Sequence, residues 1–239
     1  MAYPTYTSLC KSMALLSLNK GMETALSCLF LLSFHMTMSG QDIIPNSPEA
    51  WTKVINADII SFYGYEWRGF EYSLGDKVGK TVTKQKIKNG MYLASEKNIE
   101  KYPKLYFVKS MKNRLIIYDP KTCLRLIDGI EIGVLLHLDE NKFIINEIQR
   151  FINTYKLKDS EGIGYIAFVN YYVQCDHKMA VSHVFFDIET REILTWTGIK
   201  SDSGKGSIEN RMRSALDGNI VYFLENYYRM KRKEYFKKN

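Results

Sequence analysis

The feature that most constrains the fold of this chain is the run GIGYIAFVNYYVQ, residues 162–174, which is apolar at most positions. A strand with one solvated face alternates apolar and polar residues, whereas a strand covered on both faces does not. The run therefore predicts a central strand with other parts of the chain packed against both of its sides.

The segments around this run predict helices and strands in a mixed order. Before it come a helix over EAWTKVINA with Ser47 as N-cap, a strand over ADIISFYGYEW, a lysine-rich helical stretch within 76–101, a strand over 114–119 and an amphipathic helix over NKFIINEIQRFINTYKL. After it come the hairpin MAVSHVFFDI and REILTWTGI, then a long helix from Ser207. We expect an α/β fold, a single-domain mixed or antiparallel β-sheet with helices packed on it, over residues 41–239.

Residues 1–40 are predicted to be a signal peptide with a long n-region. Lys11 and Lys20 precede the apolar run ALSCLFLLSFHM, and small residues follow it, so cleavage is expected near Ser39 to Gln41. The alternative is a buried amphipathic helix. Cleavage would make the protein periplasmic or secreted and would lower its formal net charge from +7 to +6, since Lys11, Lys20 and Glu23 leave.

The charge of the mature chain favours acidic partners without choosing among them. Export argues against nucleic acid, so an unknown protein, a glycan or an anionic membrane surface is expected as partner. The basic tail, residues 229–239, suits the membrane surface, although a frayed, solvated terminus is the simpler account. Cys123 and Cys175 remain after cleavage, and either a disulfide or two buried thiols fits the sequence.

The segment GIKSDSGKGS, residues 198–207, resembles a phosphate-binding loop only superficially. Its spacing departs from the nucleotide motif, and Gly206 stands where Ser or Thr should bind the metal. The candidates for binding an anion at this helix start are Lys200, Gly204, Lys205, Gly206 and Ser207. The alternative is that the two glycines serve only the turn.

A second candidate surface is the aromatic-rich segment FYGYEWRGFEY, residues 62–72. An exposed rim that binds a protein or glycan would use Tyr65, Trp67, Arg68, Phe70 and Tyr72, because rigid rings bury much area at small entropic cost. The alternative is that these rings belong to the core.

No motif for catalysis, a cofactor or a metal ion is present, which favours a binding module over an enzyme. The alternative is a hydrolase that uses carboxylates or histidines near the hairpin at 176–192. Its candidate residues are Asp176, His177, His183, Asp187, Glu189 and Glu192.

The C-terminal half carries a family resemblance. VFFDIETREILTWTGIKSDSGKGSIENRMRSAL resembles the closing hairpin, glycine-rich turn and last helix of an uncharacterised exported protein family of Bacteroidetes-type bacteria. VINADIISFYGYEW and EGIGYIAFVNYY are similar to its first and central strands. The turn here has fewer glycines, and Met212 falls near the family's tryptophan. The resemblance implies an exported, envelope-associated binding domain and no particular activity.

Overall fold

The structure of this protein is a computed structural model that describes residues 45–75, 82–102, 114–117, 127–135, 145–157 and 159–236. Its elements, in chain order, are α1 (Pro48–Ile55), β1 (Ile59–Glu66), β2 (Glu71–Ser73), α2 (Lys84–Tyr102), β3 (Arg114–Ile117), β4 (Gly133–Leu135), α3 (Ile145–Thr154), β5 (Ile163–Val173), β6 (Lys178–Asp187), β7 (Ile193–Asp202), α4 (Ile208–Tyr222), a π-helical segment (Phe223–Tyr228) and α5 (Arg229–Tyr235).

Strand β5 is the centre of a mixed seven-stranded sheet and is buried at every position except Val173. On one side, β1 and β2 pair with it in parallel, one after the other along its length. They pair in turn with β3 and β4. On the other side, β6 and β7 add antiparallel strands. The predicted α/β class with a closing hairpin and a C-terminal helix is confirmed.

Helices cover both faces of this sheet. The face that carries Tyr165, Ala167 and Phe185 packs against apolar residues of α1, α2 and α4 in the larger core cluster. The opposite face carries Ile166 and Phe168 and packs against α3 in a second cluster. A strand covered on both faces has no solvated side to mark with polar residues, which explains why β5 is apolar at most positions.

Local sequence signals explain where several helices begin. Ser47 caps α1 by accepting a hydrogen bond from the Ala50 N–H, and Pro48 takes the first helical position, as predicted. Ser207 caps α4 in the same way. Helices α2 and α4 approach closely at Gly90, where an added Cβ would lie 2.6 Å from Met212 Sδ.

The long C-terminal helix contains a feature that the sequence did not predict. Residues Phe223–Tyr228 form a π-helical segment between α4 and α5. In a π-helix, hydrogen bonds join residues i and i+5, so residues five apart lie near the same side of the helix. Phe223 and Tyr228 therefore both face the core and are fully buried. Helical spacing alone predicts an uninterrupted α-helix here.

The short strands β2 and β4 were also not predicted, because three residues carry no readable alternation. The predicted signal peptide at 1–40 and Cys123 lie outside the described residues, so both the export and the disulfide stay predictions. In the described segments, no helix has the length and apolar character needed to cross a membrane.

Candidate functional site

A surface groove of about 790 Å³ opens where the C-terminal end of α1 meets the first residues of β1 and β5. Strands β1 and β5 are parallel neighbours, so their N-terminal ends meet at the same edge of the sheet. The groove is lined by Lys53, Asn56, Ala57, Asp58, Ile59, Ser61, Asp159, Ser160, Glu161, Gly162 and Ile163.

Carboxylates dominate the charge of this groove. Asp58, Asp159 and Glu161 line it, against a single cation, Lys53. The Lys53 Nζ donates to Asp187 Oδ2 at 2.6 Å, so its charge is already balanced by a carboxylate outside the lining set. Burial raises the pKa of Asp187, but Lys53 and the backbone N–H of Thr190 oppose burial and bring the pKa below its usual value. The groove therefore has a net negative wall.

Two further features suit this groove to a cation. The hydroxyl of Ser61, only 3% exposed, donates to Asp159 Oδ2 at 2.8 Å and so fixes the orientation of that carboxylate. The groove also faces the C-terminal end of α1, where the helix dipole carries partial negative charge. Ile59 is 40% exposed and supplies apolar surface beside the carboxylates.

The geometry of the groove fits a positively charged side chain with an aliphatic stem. Such a side chain can lay its stem on Ile59 and place its charge against Asp58 or Glu161. Within the described ranges, no group of three or more His, Cys, Asp or Glu residues is arranged to hold a metal ion.

The hairpin residues considered for hydrolysis lie at opposite ends of the hairpin, with Asp187, Glu189 and Glu192 at one end and Asp176 and His177 at the other. Asp187 is held by Lys53, and His177 lies in the turn at the opposite end of β6, where its ring contacts Arg211. His183 points into the core and is 1% exposed. Among the residues that the structure describes, neither histidine contacts a carboxylate.

His183 belongs to a fully satisfied buried network. The Asn219 Nδ2 donates to the Ile199 carbonyl, so its Oδ1 is the atom that faces His183 Nε2 at 2.7 Å and accepts from it. The Nδ1 of His183 then accepts from the Tyr165 hydroxyl at 2.7 Å. Burial lowers the pKa of His183 to about 3 despite the hydrogen bond with Asn219, so the ring is neutral. This arrangement positions α4 on the sheet rather than serving a surface site.

The expected aromatic rim at 62–72 is wrong. Tyr65, Trp67, Phe70 and Tyr72 are exposed by 2% or less, because β1 and β2 lie inside the sheet and helices cover their faces. The bend between β1 and β2 turns these rings inward, and the Trp67 Nε1 donates to Ser95 Oγ on α2 at 2.8 Å.

Arg68, the fifth residue of that set, is half-buried in an ion pair. Its Nη2 lies 2.8 Å from Glu66 Oε2, and its guanidinium stacks over the rings of Phe151 and Tyr155. The Tyr155 hydroxyl also donates to Glu66. The cluster holds the end of α3 against the bend between β1 and β2.

The residues predicted to bind an anion at 200–207 are not brought together. Lys200 lies opposite Ala180 in the sheet, with its Nζ 6.0 Å from the centre of the Tyr171 ring, on the face away from α4. The Gly204 N–H donates to Ser214 Oγ, and Ser207 accepts from the Asn210 N–H. Gly206 has φ 122°, which suits glycine and supports its predicted role in the turn. Lys205 is exposed in the same loop.

Sequence reasoning missed the groove residues, although a signal for them exists. Asp58 and Asp159 precede two strands by one and four residues. Acidic residues that precede two neighbouring parallel strands lie at the same edge of the sheet. The pairing of β1 with β5, however, is visible only in the structure.

Comparisons with other proteins add no assignment. The chain matches no protein-family model, and no curated protein matches it in sequence. The resemblance to an exported bacterial family therefore stays a prediction.

Proposed function

We propose that this protein is an exported, noncatalytic binding module whose groove at the start of β1 and β5 binds a lysine- or arginine-bearing segment of a partner protein. The observation that carries the proposal is the groove of about 790 Å³ with three carboxylates in its lining and Ile59 exposed among them.

The chemistry of the groove selects the charge of its ligand. Lys53 is paired with Asp187, so Asp58, Asp159 and Glu161 present an excess of negative charge to whatever enters. An extended segment with one or two cationic side chains would meet carboxylates on the wall and apolar surface at Ile59. The combination of an apolar contact with charge pairing at the rim is typical of modest-affinity protein recognition.

The groove reverses the charge preference expected from composition. The whole chain has a formal net charge of +7, which favours acidic partners at long range. Within a Debye length of about 8 Å in physiological salt, however, the nearest side chains decide the interaction. A basic segment can therefore bind in the groove of a basic protein.

The proposal is tested by binding of a fluorescent lysine-rich peptide, followed by anisotropy. The double variant Asp58→Asn with Glu161→Gln removes two exposed carboxylates of the groove. We expect its affinity for the peptide to fall about fivefold, since two exposed charge pairs at about 0.5 kcal/mol each sum to about 1 kcal/mol. A peptide of the same length with glutamate in place of lysine is expected not to bind.

The matched control is Asp176→Asn with Asp202→Asn, which removes two exposed carboxylates from the opposite end of β6 and β7. We expect this control to bind the peptide as the unchanged protein does. Equal weakening in both double variants would show that the peptide responds only to net charge and would contradict the proposal. Thermal unfolding of all three proteins checks that the fold is retained.

A further inference from the structure

The opposite end of β5 carries a second cluster of polar side chains that the groove does not involve. Strands β2 and β5 run in parallel, and near their carboxyl ends the rings of Tyr72 and Tyr172 stack with centres 5.7 Å apart. The Tyr72 hydroxyl donates to Gln174 Oε1 at 2.9 Å. The Tyr172 hydroxyl lies 3.2 Å from Ser203 Oγ. The ends of an 11-residue strand are roughly 30 Å apart, which separates this cluster from the groove.

Arg211, from the first turn of α4, projects into this cluster. Burial raises the pKa of both Tyr72 and Tyr172, and the positive charge of Arg211 opposes that rise in each case. Arg211 also forms a hydrogen bond with the Tyr172 hydroxyl, which places its guanidinium beside that group. Arg211 itself is half-buried, and its Nε is shielded from solvent without a hydrogen-bond partner.

The positive charge of Arg211 is not balanced by an anion among the described residues. Its neighbours are the His177 ring and hydroxyl groups. Its Nη1 lies 3.1 Å from His177 Nδ1. His177 is held in place because its carbonyl accepts from the Ser203 N–H at 2.6 Å. In the described part of the chain, no carboxylate lies within ion-pair distance of Arg211. A half-buried guanidinium is normally matched to a carboxylate or phosphate, because its fork of N–H groups suits such oxygen pairs.

We propose that Arg211, His177 and the Ser203 hydroxyl, held in place by the buried Tyr172 hydroxyl, form a binding site for a phosphate monoester group. These three groups supply donors from α4, from the turn between β5 and β6 and from the segment after β7. A tetrahedral oxyanion accepts hydrogen bonds on several sides, and donors from separate elements can reach it from different directions. Lys205, exposed in the loop between β7 and α4, adds positive charge at this end of the sheet.

Asp176 and Asp202 are exposed acidic side chains at this end of the sheet, and neither forms an ion pair with Arg211. The Asp176 Oδ1 lies 3.3 Å from Cys175 Sγ, and Asp202 is opposite Lys178 in the register of β6 and β7. Both carboxylates are exposed, so solvent weakens their repulsion of an anion beside Arg211.

The site is tested by calorimetric titration of the full chain with inorganic phosphate and with O-phosphoserine at constant ionic strength. We expect saturable binding that weakens about tenfold to a hundredfold in Arg211→Gln, the effect of losing hydrogen bonds to a charged group. The matched control, Arg213→Gln, removes the same charge two residues further along α4 and is expected to bind as the unchanged protein does. Absence of saturable binding, or equal weakening in both variants, would overturn the proposal.

A second pair of variants keeps the test decisive if Arg211→Gln unfolds. Ser203→Ala removes one hydroxyl donor, and Tyr172→Phe removes the buried hydroxyl that holds Ser203 and Arg211 in place. Both are expected to weaken phosphate binding severalfold. Unchanged affinity in both would also overturn the proposal.

Cosedimentation with phosphatidylcholine vesicles, with and without phosphatidic acid, separates the sources of the phosphate group. Sedimentation that requires phosphatidic acid and is lost in Arg211→Gln but kept in Arg213→Gln supports a lipid headgroup. Binding of O-phosphoserine without sedimentation supports a soluble phosphate ester. Neither result depends on the groove, so the two proposals fail or succeed separately.

Discussion

The two faces of the sheet bury different kinds of titratable group. The face covered by α1, α2 and α4 buries a network centred on neutral His183. The face covered by α3 buries the ion pair of Glu66 and Arg68. In the first network every ring nitrogen has a partner of matching donor or acceptor character, so no charge is removed from water. In the second, a carboxylate with a fully buried side chain is balanced by a guanidinium that is 31% exposed.

This difference predicts how the stability of each face responds to a change of pH and to substitution. A neutral network is stable until a proton is added to it, whereas an ion pair is stable until one partner is removed. The first face should therefore be sensitive to pH and the second to substitution.

The largest expected effect comes from removing one partner of the ion pair. Arg68→Met leaves the Glu66 carboxylate buried without its cation, which costs about 3–5 kcal/mol of the free energy of unfolding. Urea unfolding at neutral pH measures it. Arg150→Met is the control, because Arg150 also lies over the Phe151 ring but is exposed. Similar losses in both variants would mean that the ring contact, and not the ion pair, stabilises this face.

The next largest effect is the pH dependence of the His183 network. The folded protein holds the pKa of His183 at about 3, below the ordinary value of 6.5, so between these two pH values only the unfolded chain binds the proton. Stability should be unaffected above that pH and should fall by roughly 1.4 kcal/mol per pH unit as the pH decreases towards 3.

Urea unfolding at about pH 7.5, 5.5 and 4.5 compares the protein with His183→Gln. The variant is expected to lose stability at every pH but to show a shallower decline between pH 6.5 and 4.5. The lowered pKa of Asp187 acts only at more acid pH, which keeps the two contributions apart. Parallel pH profiles for the two proteins would contradict a neutral, buried His183.

A smaller effect tests the packing of the face covered by α3. An added Cβ at Gly164 would lie 2.2 Å from Phe186 Cζ, so the buried Phe186 ring, which is 1% exposed, would have to shift. Gly164→Ala should therefore lower the free energy of unfolding by about 1–3 kcal/mol. At Gly198 nothing lies within 4 Å of an added Cβ, so Gly198→Ala is the control. If both substitutions lower the free energy of unfolding equally, close packing against Phe186 is not the reason that glycine occupies position 164.

Much of the fold was predictable because its signals are local. The largely apolar run identified β5, the N-cap and proline at Ser47 and Pro48 located α1, and the one-sided apolar spacing located α3. Strand β2 and the π-helical segment were not predicted, because each is too short to change the pattern of apolar residues in a recognisable way.

The candidate sites were much less predictable. The sequence places six aromatic residues at 62–72 but does not show which side of the chain faces water, and the structure buries the rings that had been assigned to a surface rim. It also shows lysine and glycine at 200–207 but not that Lys200 lies on the sheet face away from α4.

The sequence by itself determined the α/β class, the central strand and the order of the closing hairpin and helix, because hydrophobic periodicity and capping act over a few neighbouring residues. The tertiary structure alone decided that Asp58 meets Asp159 in one groove and that Arg211 reaches Tyr172 and His177. Those meetings depend on the pairing of β5 with β1 and β2 and on the packing of α4 over its end, and such long-range contacts leave no mark in the local pattern of residues.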